Sequence, residues 1–193
     1  PWRGQFTPEF VDVLLANFAR ASGFVLDPFV GSGTTLVESA RRGLECAGLE
    51  INPAAVEVSK LACFANVTHG ERECCIRKAA ELISELACPL FLGTQLEIEH
   101  SDERFEVKEA IRSLLERARS DEHVLNIVLT SLMRSFAQRP LCIGPDTWAS
   151  SLVEAFEKQV DFVRGLPLSE KPVRVFHQDA RQVPLGDACV DLI

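Results

Sequence analysis

The residues best placed to do chemistry lie in FVLDPFVGSGTT, residues 24–35. Phe24–Leu26 is a short apolar run that ends in Asp27-Pro28, and Gly31 and Gly33 follow in a turn leading into LVESARRG. A buried parallel strand running into a glycine turn that opens a helix aims backbone N–H groups at a ligand beyond the strand's carboxyl end. Three classes of ligand use such a turn. A Walker-type phosphate loop needs Gly-Lys-Ser or Gly-Lys-Thr, and no lysine stands here. A dinucleotide fingerprint needs a third glycine, where this chain has Leu36. Instead there is Asp27, a carboxylate that repels a pyrophosphate and pairs with an ammonium group.

S-adenosylmethionine presents an α-ammonium and a carboxylate and carries no phosphate, so it fits this turn best of the three. Glu50 is the second candidate. It closes the run ECAGLE (45–50), where an acid can accept both hydroxyls of a ribose. Asp179 ends a third β-rich run, VRVFHQD (173–179). The histidines at 69, 100, 123 and 177 lack metal-ligand spacing, and the seven cysteines form no C-x-x-C pair, so no metal site is expected.

Asp27–Thr35, D-P-F-V-G-S-G-T-T, resembles the first cofactor motif, D-P-F-x-G-S-G-T-T, of the DNA methyltransferases that modify exocyclic amino groups, adenine N6 or cytosine N4. The resemblance implies that Asp27, Pro28, Phe29, Gly31, Ser32, Gly33 and Thr34 line S-adenosylmethionine. It also implies that Glu50, with Ile51 beside it, holds the ribose. Asp179, with Ala180 beside it, would accept a hydrogen bond from the cofactor's adenine amino group. QFTPEF (5–10) resembles, more loosely, the segment that closes over the methionine end, which brings in Phe6 and Thr7. The family's catalytic tetrapeptide is Ser, Asn or Asp, then Pro-Pro, then an aromatic. Its polar residue accepts from the target amine and its ring stacks on the flipped base. No such tetrapeptide occurs in this sequence. In the resembled fold it follows the fourth strand, here CVDLI (189–193), so it is expected just after Ile193. The chain is accordingly expected to bind cofactor and, alone, not to methylate.

The elements that must position these residues alternate. After Thr7-Pro8, a good cap and first turn, Phe10, Val13, Leu14 and Phe18 repeat at helical spacing. Strand 23–27, a helix ending near Gly43, strand 45–50 and a helix from Asn52-Pro53 through Ala65 then read as α/β with a parallel sheet. The resemblance implies a Rossmann-like methyltransferase fold with strand order 3-2-1-4, from residues 173–178, 45–50, 23–27 and 189–193, incomplete at the C-terminus. Residues 66–172 change character. Amphipathic helices are predicted at 71–87, 103–119, 121–138 and 147–164, broken near Pro89–Gly93 and Pro140–Pro145. The domain reading is therefore a cofactor-binding core of 1–65 and 173–193 with a helical insertion at 66–172. An unpaired apolar edge at Cys189–Ile193 is expected to pair with another chain or a downstream segment.

Composition limits the partners. The formal net charge of −8 leaves no basic footprint, so DNA must be gripped by a local patch or by regions outside this chain. No apolar run reaches membrane-spanning length and no signal peptide opens the sequence, so a cytoplasmic location without membrane contact is expected. The function these features imply is the cofactor-binding part of a site-specific DNA methyltransferase, as in restriction–modification. Two alternatives remain open: an RNA guanine-N2 methyltransferase, and a non-catalytic cofactor-binding subunit whose partner supplies the tetrapeptide.

Overall fold

The computed structural model describes residues 6–91, 102–138 and 145–193. They form two compact units, residues 1–69 with 163–193, and residues 70–162. The first unit opens with α1 (Pro8–Phe18), capped by the Thr7 hydroxyl, which accepts from Phe10 N at 3.3 Å. Val11 and Leu15, one turn apart, are its buried stripe. There follow β1 (Phe24–Asp27), α2 (Thr34–Arg41), β2 (Glu45–Glu50), α3 (Pro53–Lys60) and, much later in the chain, β3 (Val173–His177). The helix expected to run through Ala65 tightens into a 3-10 turn from Leu61 to Asn66. The sheet is parallel with β2 in the centre, Asp27 opposite Gly48 and Glu50 opposite His177.

Period-two alternation then assigns faces. Phe24 and Leu26, with Ala47 and Leu49, form a buried cluster on one face, against which Phe176, Leu185 and Val190 pack. On the other face lie Val25, Cys46 and Gly48 and, at the carboxyl ends, Asp27, Glu50 and His177. The Cys46 thiol donates to the Leu36 carbonyl at 3.7 Å, which places α2 on this second face.

CVDLI is not the regular strand expected of it. It contributes one parallel bridge, Leu192 to Val25, at the edge of β1 away from β2. The Asp191 carboxylate, in place of a backbone carbonyl, takes the Phe24 N–H at 2.9 Å, so the ladder stops at that single bridge.

The amino end of the sheet is tied by one side chain. Asn66 Oδ1 accepts from Val173 N at 2.8 Å, while its Nδ2 donates to the carbonyls of Ser169 at 2.9 Å and Lys171 at 2.7 Å. Ser169 N donates to Ala65 O at 2.8 Å beside it. These bonds fasten the returning chain before β3 begins.

The second unit is built from the bulk of α4 (His69–Phe91) and α7 (Pro145–Gly165), with α5 (Asp102–Ala118) and α6 (Glu122–Gln138). The helix expected to break near Pro89 continues to Phe91; the remainder of that break, and residues 140–144 of the second, lie outside the described residues. Val124, Ile127, Val128 and Leu132 bury the apolar side of α6. The hydroxyls of Thr130, Ser131 and Ser135 on it are satisfied by carbonyls of their own helix. Surface pairs tie the helices, Lys78 to Asp121 at 3.1 Å and Arg117 to Glu85.

Candidate functional site

The site grows from the glycine turn. Gly31 has φ +54° and Gly33 φ +86°, backbone that L side chains rarely adopt, and Gly33 is the N-cap of α2. Between them and the sheet sits Val30, whose N–H donates to Leu49 O at 3.0 Å. Val30 is admitted only because residue 48 lacks a side chain: a Cβ there would lie 2.6 Å from Val30 Cβ. Gly48 is a glycine that sequence reasoning passed over. Its signal was present in ECAGLE, since a glycine inside a strand marks a close approach.

Two acids fix the turn. Asp27 Oδ1 accepts from Phe29 N at 3.0 Å. Glu50 reaches further, with Oε2 accepting from Gly31 N at 3.2 Å and Oε1 from Ile51 N at 3.0 Å and Asn52 N at 2.9 Å. One carboxylate thus joins the turn after β1 to the turn after β2. Ser32 Oγ and Thr34 Oγ1 lie 3.3 Å apart at the start of α2. The amides of Thr34, Thr35 and Leu36 are the first-turn donors of α2, and Gly33 at the N-cap offers them no side-chain acceptor. Phe29 and Ile51, at the same edge, are 79% and 66% exposed.

Asp179 lies two residues beyond β3 and is gripped by Arg181, whose N donates at 2.9 Å and whose guanidinium reaches both carboxylate oxygens. That guanidinium holds the Asp179 carboxyl down at about 2. His177, also overlooked in the sequence, directs Nε2 to Ile51 O at 3.1 Å. The contacts described for Phe6 and Thr7 run to Phe10 and Val11 of α1, with the Phe6 and Phe10 rings 5.3 Å apart. Asp27 is therefore bonded to Phe29, and Glu50 to both Gly31 and Ile51, while Asp179 follows the neighbouring strand end.

Burial pushes the Cys46 thiol up to about 12, and no metal-binding cluster occurs among the described residues. What the edge offers is carboxylate acceptors, helix-end donors and exposed apolar side chains, the means of holding a ligand with ammonium, hydroxyl and apolar parts.

Residues 2–61 match the profile of the DNA methylase family. This segment is thus similar to DNA methylases. A curated relative is the Type II methyltransferase M.MjaII of Methanocaldococcus jannaschii, 38% identical over 53 residues. That stretch covers 28% of this chain and 10% of the relative, so the likeness extends to a small part of the relative's length. No solved structure gives a significant match. The matched segment contains α1, the glycine turn, Glu50 and α3, while His177 and Asp179 lie outside it. No helix among the described residues is long and apolar enough to cross a membrane.

Proposed function

We propose that residues 1–65 and 173–193 form the S-adenosylmethionine-binding core of a site-specific DNA methyltransferase acting on adenine N6 or cytosine N4, with 66–172 as a helical insertion. Its fold would be the Rossmann-like order 3-2-1-4, the Leu192 bridge marking the fourth position. One observation carries the cofactor assignment: the amides of Phe29 and Gly31 are taken by Asp27 and Glu50. Carboxylates stand where a phosphate loop would present donors, so a nucleotide phosphate meets repulsion and a zwitterionic amino acid does not.

The residues present suit that ligand. S-adenosylmethionine supplies a methyl group activated by its sulfonium. Asp27 accepts from the ammonium, and Ser32, Thr34 and the first-turn amides of α2 take the carboxylate. Glu50 accepts from the ribose hydroxyls. Ile51 and Phe29 provide apolar cover, with Pro28 fixing the turn between Asp27 and Phe29. Asp179, next to Ala180, accepts from the adenine amino group once Arg181, itself 87% exposed in its side chain, swings away. Phe6 and Thr7 close the methionine end. The substrate is DNA, and the acidity of the chain assigns most of the grip on it to other regions of the protein.

Isothermal titration of the chain with S-adenosylmethionine, ATP and NAD tests this reading. Saturable binding of S-adenosylmethionine and none of the two phosphate-bearing nucleotides is the expected result. Binding of ATP or NAD in its place would overturn it.

A further inference from the structure

The Ile51 peptide is held at both ends. Its N–H donates to Glu50 Oε1 at 3.0 Å, and its carbonyl lies 3.1 Å from His177 Nε2, a side chain of the neighbouring strand. A second bond from the same strand, Gln178 N to Glu50 O at 3.0 Å, ties the residue before it. Asn52 then starts α3 with its own cap, Oδ1 accepting from Ala54 N at 3.0 Å. Every residue of the Glu50–Ile51–Asn52 turn is thereby fixed, yet the Ile51 side chain is left 66% exposed. A carbonyl can only accept, so the His177 ring must carry its proton on Nε2 to make this contact. His177 itself is exposed, has a place at the end of β3, and takes no part in the buried cluster of the sheet.

We infer that His177 is a positioning residue for the nucleoside half of the cofactor. It holds the Ile51 carbonyl so that the Ile51 side chain and the Glu50 carboxylate stand ready for adenosine. The inference rests on the S-adenosylmethionine reading above. The physical reason is preorganisation: a turn already fixed before binding loses less freedom when ligand arrives. Removing the one side-chain donor releases the Ile51 carbonyl, while the amide bonds to Glu50, the sheet ladder and α3 keep their own partners. The penalty therefore falls on ligand affinity and not on the fold.

The test compares His177→Ala, His177→Phe and His177→Gln in the full chain, titrated with S-adenosylmethionine and with 5′-methylthioadenosine, which lacks the amino acid end. Losing one neutral hydrogen bond corresponds to roughly three- to tenfold weaker binding. That loss is expected for Ala and Phe with both ligands. Gln, whose Nε2 can replace the ring donor, is expected within about twofold of the wild type on the same scale. Thermal unfolding midpoints should agree across the series. Wild-type affinity in both the Ala and Phe variants would overturn the inference, as would a Gln variant as weak as Phe. Failure of the unaltered chain to bind either ligand would instead sink the cofactor reading and this inference with it.

Discussion

The two ends of the sheet use the same kind of bond for opposite purposes. At the amino end, Asn66 links to Ser169, Lys171 and Val173, residues more than a hundred positions away in sequence. At the carboxyl end, Asp27 and Glu50 bind amides no more than 19 positions away. Long-range bonds close the fold. The carboxylates' short-range bonds, with the long-range His177 and Gln178 contacts, shape a surface, and that surface keeps Phe29 and Ile51 in solvent although each could bury apolar area. Exposed apolar side chains on a fixed framework are a feature of binding edges. The difference between the ends separates stability from function within one small sheet.

The largest effect expected from breaking this contrast is Glu50→Ala. It removes the ribose acceptor and the anchor of Gly31 together, and charge-assisted bonds contribute ~1.5–3 kcal/mol each. Affinity for S-adenosylmethionine should fall roughly a hundredfold by calorimetry, and the thermal midpoint should fall as well, since the bonds to the Gly31, Ile51 and Asn52 amides go with it. A large loss of stability with affinity intact would invert the assignment.

Gly48→Ala tests where the two roles meet. The new Cβ would sit 2.6 Å from Val30 Cβ, so the loop must move. Overpacking of this kind costs ~1–3 kcal/mol, and here denaturant stability and cofactor affinity should both drop. Asn66→Ala acts at the amino end alone. With three partly exposed bonds lost, stability should fall by about 1.5 kcal/mol while affinity stays at the wild-type value.

The smallest effect concerns Arg181→Ala, which should leave stability unchanged, since Asp179 and Arg181 form a local, exposed pair. The Asp179 carboxyl is depressed by Arg181, so the pairing holds at neutral pH and is lost as pH falls through about 2. In the variant, carboxyl-carbon NMR should show the titration moved up toward the ordinary aspartate range, with the backbone N–H of residue 181 still holding it below that range.

Much of the carboxyl end was legible in the sequence, because its parts are close in the chain. Asp-Pro followed by Gly-x-Gly states a turn, a helix start and a carboxylate within nine residues, Asp27–Thr35. β2 falls on residues 45–50 as read, because its apolar run is bounded by Gly43 and Asn52-Pro53. Asn66 was invisible, because a lone polar residue after a helix carries no mark of partners a hundred positions on. His177 was missed for a related reason: its role depends on strand register, which no local pattern encodes. CVDLI read as a strand from its β-rich composition, but composition does not reveal that Asp191 would spend its side chain on the Phe24 N–H.

The most direct measurement is a backbone amide NMR titration of the chain with S-adenosylmethionine. The signals of Phe29, Gly31 and Ile51 should shift on binding, since these amides belong to the carboxyl-end framework. The Val173 and Ser169 amides, held at the amino end, should stay in place. Shifts centred on Val173 and Ser169, with Gly31 and Ile51 unmoved, would contradict the assignment of the cofactor to the carboxyl end.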